Sequence, residues 1–226
     1  TSIGDNAFYN CKSFTSVAIP DGVTSIGEYA FYNCKSLTSV AIGNDVRSIG
    51  MRAFTRCDSL TSITVAEGNT VYHSAGNCLI ETASRTLMRG CSTSVIPTDG
   101  SVTSIGNYAF SRCRSLMSLA IPGSVKRIGN SAFWGCSSLT SVTIPEGVTS
   151  IGGDAFYYCS SLTSVTIPNG VTRIGSSAFL GCSSLKKEGR FKATNGGMKC
   201  RGFLFNVGKD YKCKGKPKLC KNGFHF

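Results

Sequence analysis

A period of 23 residues constrains this chain more than any other feature of its sequence. The nonapeptide SSLTSVTIP stands at 137–145 and, unchanged, at 160–168. An Ile-Gly pair keeps the same step, with isoleucines at Ile3, Ile26, Ile49, Ile105, Ile128, Ile151 and Ile174 and one gap of 56 residues. The gap divides into an ordinary repeat and a long one of 33, so 10 residues are inserted within 67–104. Setting Tyr72 at the missing isoleucine and Ile96 at the usual strand-end isoleucine places 8 of them between the two. So short a unit cannot bury its own apolar side chains, and each copy must stack on the next.

Within SLTSVTIP, Leu139, Val142 and Ile144 have an L-x-x-L-x-L spacing, and the last two alternate as a short strand with one buried face. Pro145 and Gly147 end that strand, and VTSIG supplies a second extended piece. DAFYYCSSL predicts a short helical or 3₁₀ turn around Ala155 and Phe156. Stacking sets equivalent strands about 4.8 Å apart in parallel ladders, and about eight coils make a rod on the order of 40 Å long. Phe8, Phe31, Phe54, Phe110, Phe133, Phe156 and Phe179 then form a buried spine, each behind an alanine. Three residues after each lies a cysteine: Cys11, Cys34, Cys57, Cys113, Cys136, Cys159 and Cys182. Stacked cysteines one coil apart exceed the Cβ separation of roughly 3.5–4.5 Å that a disulfide needs, so these are expected to be reduced and buried.

Outward strand positions carry small residues, among them Ser141, Thr143, Ser164, Thr166, Ala18, Ala41 and Ala120, which predicts a flat uncharged face. Tyr9, Tyr32, Trp134 and Tyr157 each follow a spine phenylalanine, with Tyr158 beside the last. If the phenylalanine points inward its successor on a tight turn points outward, so these five are the candidate ligand-binding residues. Tyrosine and tryptophan suit that role because they join a large contact area to a polar handle. The competing reading is that they pack over the rim of the next coil. In the long repeat, NCLIET and RTLMRG flank ASR as a plausible hairpin projecting from the rod. His73, Cys78 and Cys91 lie there without a C-x-x-C pair, which favours a core or paired-thiol role over metal binding.

These repeats closely resemble the BspA-type leucine-rich repeats of surface proteins from bacteria and some parasitic protists. The match covers 1–185, and LTSVTIPEGVTSIGGDAF carries it most specifically. The resemblance implies a leucine-rich-repeat solenoid, right-handed and β-rich, that serves adhesion or protein binding. It also implies a cell-surface or secreted setting, a protein partner such as an extracellular-matrix or host cell-surface protein, and no catalytic residues. Thr1 falls inside a repeat, so the chain is expected to be a fragment without its upstream targeting signal. A reduced cysteine ladder also fits a cytoplasmic setting.

After Leu185 the repeat gives way to a basic segment, 186–226, expected to be a small β-rich domain cut short. The formal net charge of +12 resides almost wholly here, with 12 Lys and Arg against 2 Asp and Glu, whereas 1–185 holds 12 against 10. The solenoid therefore has no electrostatic footprint for a polyanion. The segment resembles the opening of a small domain of unassigned function found in phage-like and bacterial proteins. Cys200, Cys213, Cys220 and His225 are a weak alternative metal set, because the cysteines stand 13 and 7 residues apart where zinc sites favour closer pairs. Its lysines interleave with Phe203, Phe205 and Tyr211, a pattern that also serves single-stranded nucleic acid. No triad, paired carboxylates or cofactor motif emerges anywhere, so the chain reads as a non-enzyme without a cofactor. No stretch reaches the length of about 18 apolar residues that a membrane helix needs.

Overall fold

The computed structural model describes residues 1–185. The expectations for the basic segment, including Cys200, Cys213, Cys220 and His225, fall outside the described residues. In chain order the strands are β1 (Ser2–Ile3), β2 (Ser16–Ile19), β3 (Ser25–Ile26), β4 (Ser39–Ile42), β5 (Ser48–Ile49), β6 (Ser62–Val65), β7 (Tyr72–Ala75) and β8 (Cys78–Glu81). There follow β9 (Thr86–Arg89), β10 (Ser104–Ile105), β11 (Ser118–Ala120), β12 (Arg127–Ile128), β13 (Ser141–Thr143), β14 (Ser150–Ile151), β15 (Ser164–Thr166) and β16 (Arg173–Ile174). Among the described residues there is no helix.

Each ordinary coil gives one strand to each of two parallel ladders. The TSVTI pieces build β2-β4-β6 and β11-β13-β15, and the VTSIG pieces build β1-β3-β5 and the run β10-β12-β14-β16. Pairing joins residues one repeat apart, Val142 opposite Val165 and Ile128 opposite Ile151, as the period requires. Leu139, Val142, Ile144, Val148 and Ile151 are all buried, while Ser141 and Thr143 are exposed. The other predicted outward positions, Ala18, Ala41, Ala120, Ser164 and Thr166, are exposed too. Thr163 Oγ1 donates to Thr140 O at 3.1 Å, and Thr140 Oγ1 to Met117 O at 3.1 Å, so a hydroxyl column bonds one coil to the next. The recurrent Ile-Gly has a steric cause: a Cβ on Gly152 would lie 2.5 Å from Asn130 N in the preceding coil.

The turn around each phenylalanine is where the helical expectation changes. Its i→i+3 bonds are present at alternate residues, as in Tyr157 N to Asp154 O (3.0 Å) and Cys159 N to Phe156 O (3.2 Å). The N–H groups between them leave the turn, and Phe156 N donates to Ala178 O of the following coil at 2.6 Å. Asp154 and Tyr158 flank the phenylalanine with left-handed φ of 54° and 55°, and equivalent residues repeat this in the other ordinary coils. Alternating handedness prevents the turns from merging into a helix and turns half the N–H groups toward the neighbour. A left-handed non-glycine residue costs roughly 1–2 kcal/mol, which these inter-coil bonds help to offset.

The spine forms as expected on both sides of the long coil. Phe8, Phe31 and Phe54 stack at 5.1 and 5.3 Å, and Phe110, Phe133, Phe156 and Phe179 at 5.2, 4.9 and 5.1 Å. Beside it, five thiols donate to a phenylalanine carbonyl of the preceding coil, among them Cys136 Sγ to Phe110 O at 3.0 Å and Cys159 Sγ to Phe133 O at 3.1 Å, whereas Cys113 Sγ, just after the long coil, donates to Gly90 O at 3.6 Å. All nine cysteines among the described residues are free thiols.

The inserted hairpin does not project. β8 and β9 pair antiparallel, β9 continues in parallel onto β10, and Cys78, Leu79, Ile80 and Leu87 are buried. Its apolar alternation drives it into the sheet, where it replaces the phenylalanine turn of the fourth coil. Tyr72 is buried as aligned, but it pairs with Glu81 of β8 instead of extending the ladder from Ile49. Ile96 is buried outside any strand, so the first ladder also breaks here. The core divides accordingly into one cluster from Ile19 to Cys91 and another from Cys78 to Cys182.

Candidate interaction surface

The residues that follow the spine phenylalanines lie along one rim of the rod. Tyr9 and Tyr158 are 50% and 56% exposed, and Tyr32, Trp134 and Tyr157 are half-buried. The rings meet one another along the rim: Tyr9 stacks on Tyr32 at 5.2 Å, Trp134 lies 6.5 Å from Tyr157, and Tyr157 meets Tyr158 edge-on at 4.6 Å. Packing over the neighbouring coil and exposure to solvent thus coexist in the same side chains. Beside the long coil the pattern changes, because Thr55 and Ser111 occupy the equivalent positions and are buried.

Sequence reasoning missed the arginines that flank this interruption. Arg56 holds its guanidinium 5.8 Å from the Tyr32 ring, and Arg112 lies 4.5 Å over Trp134. Both stand two residues after a spine phenylalanine with left-handed φ, 63° and 62°. That backbone hand swings the side chain onto the adjoining ring, where cation–π attraction holds it. Burial and the nearby charges of Arg56 and Arg114 lower the Arg112 pKa from its ordinary value. The rim is therefore a mixed aromatic and guanidinium surface. The one available signal was that Arg56 and Arg112 fall at the same repeat position, one period before and after the long coil.

Around the corner a cleft of about 600 Å³ opens beside the long coil, lined by Arg52, Phe54, Arg89, Tyr108, Arg127 and Arg173 among others. Arg52 Nη1 donates to Tyr29 Oη at 2.9 Å, and the guanidinium lies 3.9 Å over the Tyr108 ring. Burial works against its charge, but Tyr108 and Tyr29 hold its pKa above the ordinary value. The cysteines of the long coil are not part of a site: Cys78 and Cys91 are core residues, and His73 Nδ1 lies 2.9 Å from Thr82 Oγ1. Among the described residues no group of three His, Cys, Asp or Glu side chains is placed to hold a metal, and no helix is long and apolar enough to cross a membrane.

Stacked coils with two parallel ladders, a turn ladder and a phenylalanine spine define a leucine-rich-repeat solenoid. The chain belongs to the BspA type leucine rich repeat family, which its residues 1–79 and 81–188 match in 6 copies. Residues 190–226 match a domain of unknown function (DUF7666). Among solved structures, a leucine rich cell surface protein from Faecalibacterium prausnitzii is similar at 30% identity and a TM-score of 0.58, over 81% of this chain and 61% of that one. A leucine-rich repeat protein from Bacteroides ovatus is 27% identical with a TM-score of 0.50, over 82% and 57%. The pneumococcal vaccine antigen PcpA, at 21% identity and a TM-score of 0.65 over 82% and 52%, shares the fold. The chain thus spans between about half and three-fifths of the length of these proteins. Comparison with curated proteins returns no match. The family and fold make the chain a repeat-based surface or interaction module.

Proposed function

We propose that the solenoid is a non-catalytic adhesion module that grips a protein partner, such as an extracellular-matrix or host cell-surface protein, through its aromatic rim. The observation that carries this reading is the alignment of Tyr9, Tyr32, Trp134, Tyr157 and Tyr158 with Arg56 and Arg112 on one edge. Tyrosine, tryptophan and arginine are the residue types that dominate binding energy at protein interfaces. A cell-surface or secreted location is supported by the similar cell surface protein from Faecalibacterium prausnitzii. The test is binding to a panel of purified matrix proteins. Tyr32→Ser, Trp134→Ser and Tyr157→Ser combined should lower affinity at least about 100-fold, as expected for loss of hot-spot side chains, with an unchanged circular dichroism spectrum. Undiminished binding by the folded triple variant overturns the rim as the contact surface.

The charge of 186–226 favours a second reading, in which the chain is a phage or bacterial surface-recognition protein made of a solenoid, 1–185, and a basic domain that binds nucleic acid or a larger assembly through its lysines, or zinc through Cys200, Cys213, Cys220 and His225. Binding by residues 1–185 alone, resistant to salt, supports the first reading. Binding that needs the full chain and is lost at high salt supports the second.

A further inference from the structure

The long coil leaves a defect in the turn ladder. In the second coil, Tyr29 N, Phe31 N and Asn33 N donate to Met51 O, Ala53 O and Thr55 O of the third at 3.2, 2.8 and 2.9 Å. The equivalent groups of the third coil are Arg52 N, Phe54 N and Arg56 N, with the same left-handed φ at Arg52 (60°) and Arg56 (63°). Because the hairpin has replaced the turn that should follow, none of the three has an acceptor.

Arg89, at the end of β9, stands where that turn would be. Its Nη1 donates to Tyr108 O, Ala109 O and Ser111 O of the fifth coil at 3.3, 3.4 and 3.2 Å. The residue is only 5% exposed, and its Nε and Nη2 are enclosed without a partner. Its charge acts on Cys57 and on Cys113, cysteines of the third and fifth coils, so it lies within reach of both. Donors therefore face this gap from both sides. Asp58 lies nearby with Oδ1 buried and unpartnered, yet the one ion pair among the described residues joins Arg47 to Asp45. The cleft that opens here includes Arg52, Arg127 and Arg173 in its lining and neither Asp nor Glu.

Successive N–H groups in alternating left- and right-handed turns form concavities that attract anions, and a buried guanidinium is costly until it is paired. We propose that this gap binds a tetrahedral oxyanion, a sulfate or phosphate group, seated against Phe54 N and the Arg89 guanidinium in place of the missing carbonyls. The choice of oxyanion follows from where the donors stand. Phe54 N on one side and Arg89 Nε and Nη2 on the other are unpaired, and a tetrahedral ion presents oxygens in both directions, whereas a carboxylate presents its two oxygens on one edge. The cleft of about 600 Å³ also has room for a group that carries the oxyanion. Phe54 and Arg89, which seat the ion, are not rim residues, so the fate of this site does not decide that of the adhesion reading.

Three measurements on the full chain test it. Thermal unfolding at constant ionic strength should show low-millimolar sulfate and phosphate raising Tm above chloride and acetate along a saturating curve, a range in which general salt effects are small; equal effects of all four anions, or a rise that does not saturate, overturn the proposal. Crystals grown without sulfate and soaked in selenate should give an anomalous peak within hydrogen-bond distance of Arg89 and Phe54 N; an empty cleft overturns it. Arg52→Gln leaves the Arg89 bonds to the fifth coil in place, removes one positive charge from the cleft lining, and should weaken sulfate binding about threefold, the loss expected for a nearby cation that does not touch the ion. Arg89→Met should abolish the sulfate effect, and if that variant does not fold, Arg52→Gln and the selenate map still decide. A monosulfated disaccharide that binds more tightly than inorganic sulfate identifies a carried group, and the reverse order identifies the free ion; either supports the site.

Discussion

At the residue scale, the cysteine ladder shows how one side chain fills a position fixed by the repeat. The site between stacked coils is small, apolar and faces one carbonyl, and a thiol supplies both low volume and a weak donor. Burial first, opposed by the Arg89 charge, pushes the Cys57 and Cys113 thiols up to about 12 from the ordinary 9.0, and burial brings Cys78 to about 11. Cys159 is raised as well, by hydrogen bonding with Cys136 and Cys182 and then by burial. The folded state thus favours the protonated thiol. Its contribution is complete below the unfolded value near 9.0 and is lost as pH climbs toward about 12. Urea midpoints should accordingly decline as pH rises through 9, and a thiol reagent at pH 8 should label Cys57 and Cys113 only after denaturant is added. Rapid labelling of these residues in the native protein would show that the ladder opens without unfolding.

At the element scale, the hairpin of β8 and β9 both interrupts the solenoid and joins its halves. Gly90 follows β9 and donates through its N–H to Ala109 O at 2.9 Å, a bond that stands in for the missing turn. Its backbone lies so close to the spine that an added Cβ would meet Phe110 Cε1 at 2.1 Å. Gly90→Ala should cost about 1–3 kcal/mol through overpacking, read as a lower urea midpoint at unchanged slope. Gly123→Ala is the control, since its Cβ would meet nothing within 4 Å, and should change stability by no more than about 0.5 kcal/mol. Equal effects of the two would mean that the hairpin does not press on Phe110.

At the scale of the whole molecule, stability in a repeat protein is a sum over coils and the interfaces between them. Here the sum has a seam, because the core falls into two clusters and both strand ladders break at the long coil. Amide hydrogen exchange should resolve two cooperative units, coils before the hairpin and coils after it, with different opening free energies. A single unit spanning 1–185 would show instead that the hairpin couples the halves as strongly as an ordinary coil interface does.

The period, the pairing register, the buried spine and the exposed hydroxyl face were all legible in the sequence, because a stacked repeat places the same residue in the same environment every 23 positions. The aromatic rim was legible for the same reason: Tyr9, Tyr32, Trp134 and Tyr157 hold a constant offset from the spine. What lay beyond the sequence was everything that breaks the period. That the hairpin would enter the sheet depends on a vacant edge at β10 that only the folded chain presents. That Arg56 and Arg112 would lie across aromatic rings depends on left-handed backbone at positions where asparagine, glycine and tyrosine stand in other coils. The gathering of Arg52, Phe54 and Arg89 around one cleft joins residues from two coils, one of them the irregular long coil, with no common spacing. A repeat specifies neighbours through local sequence, but a defect in the repeat is filled by whatever the tertiary structure brings to it.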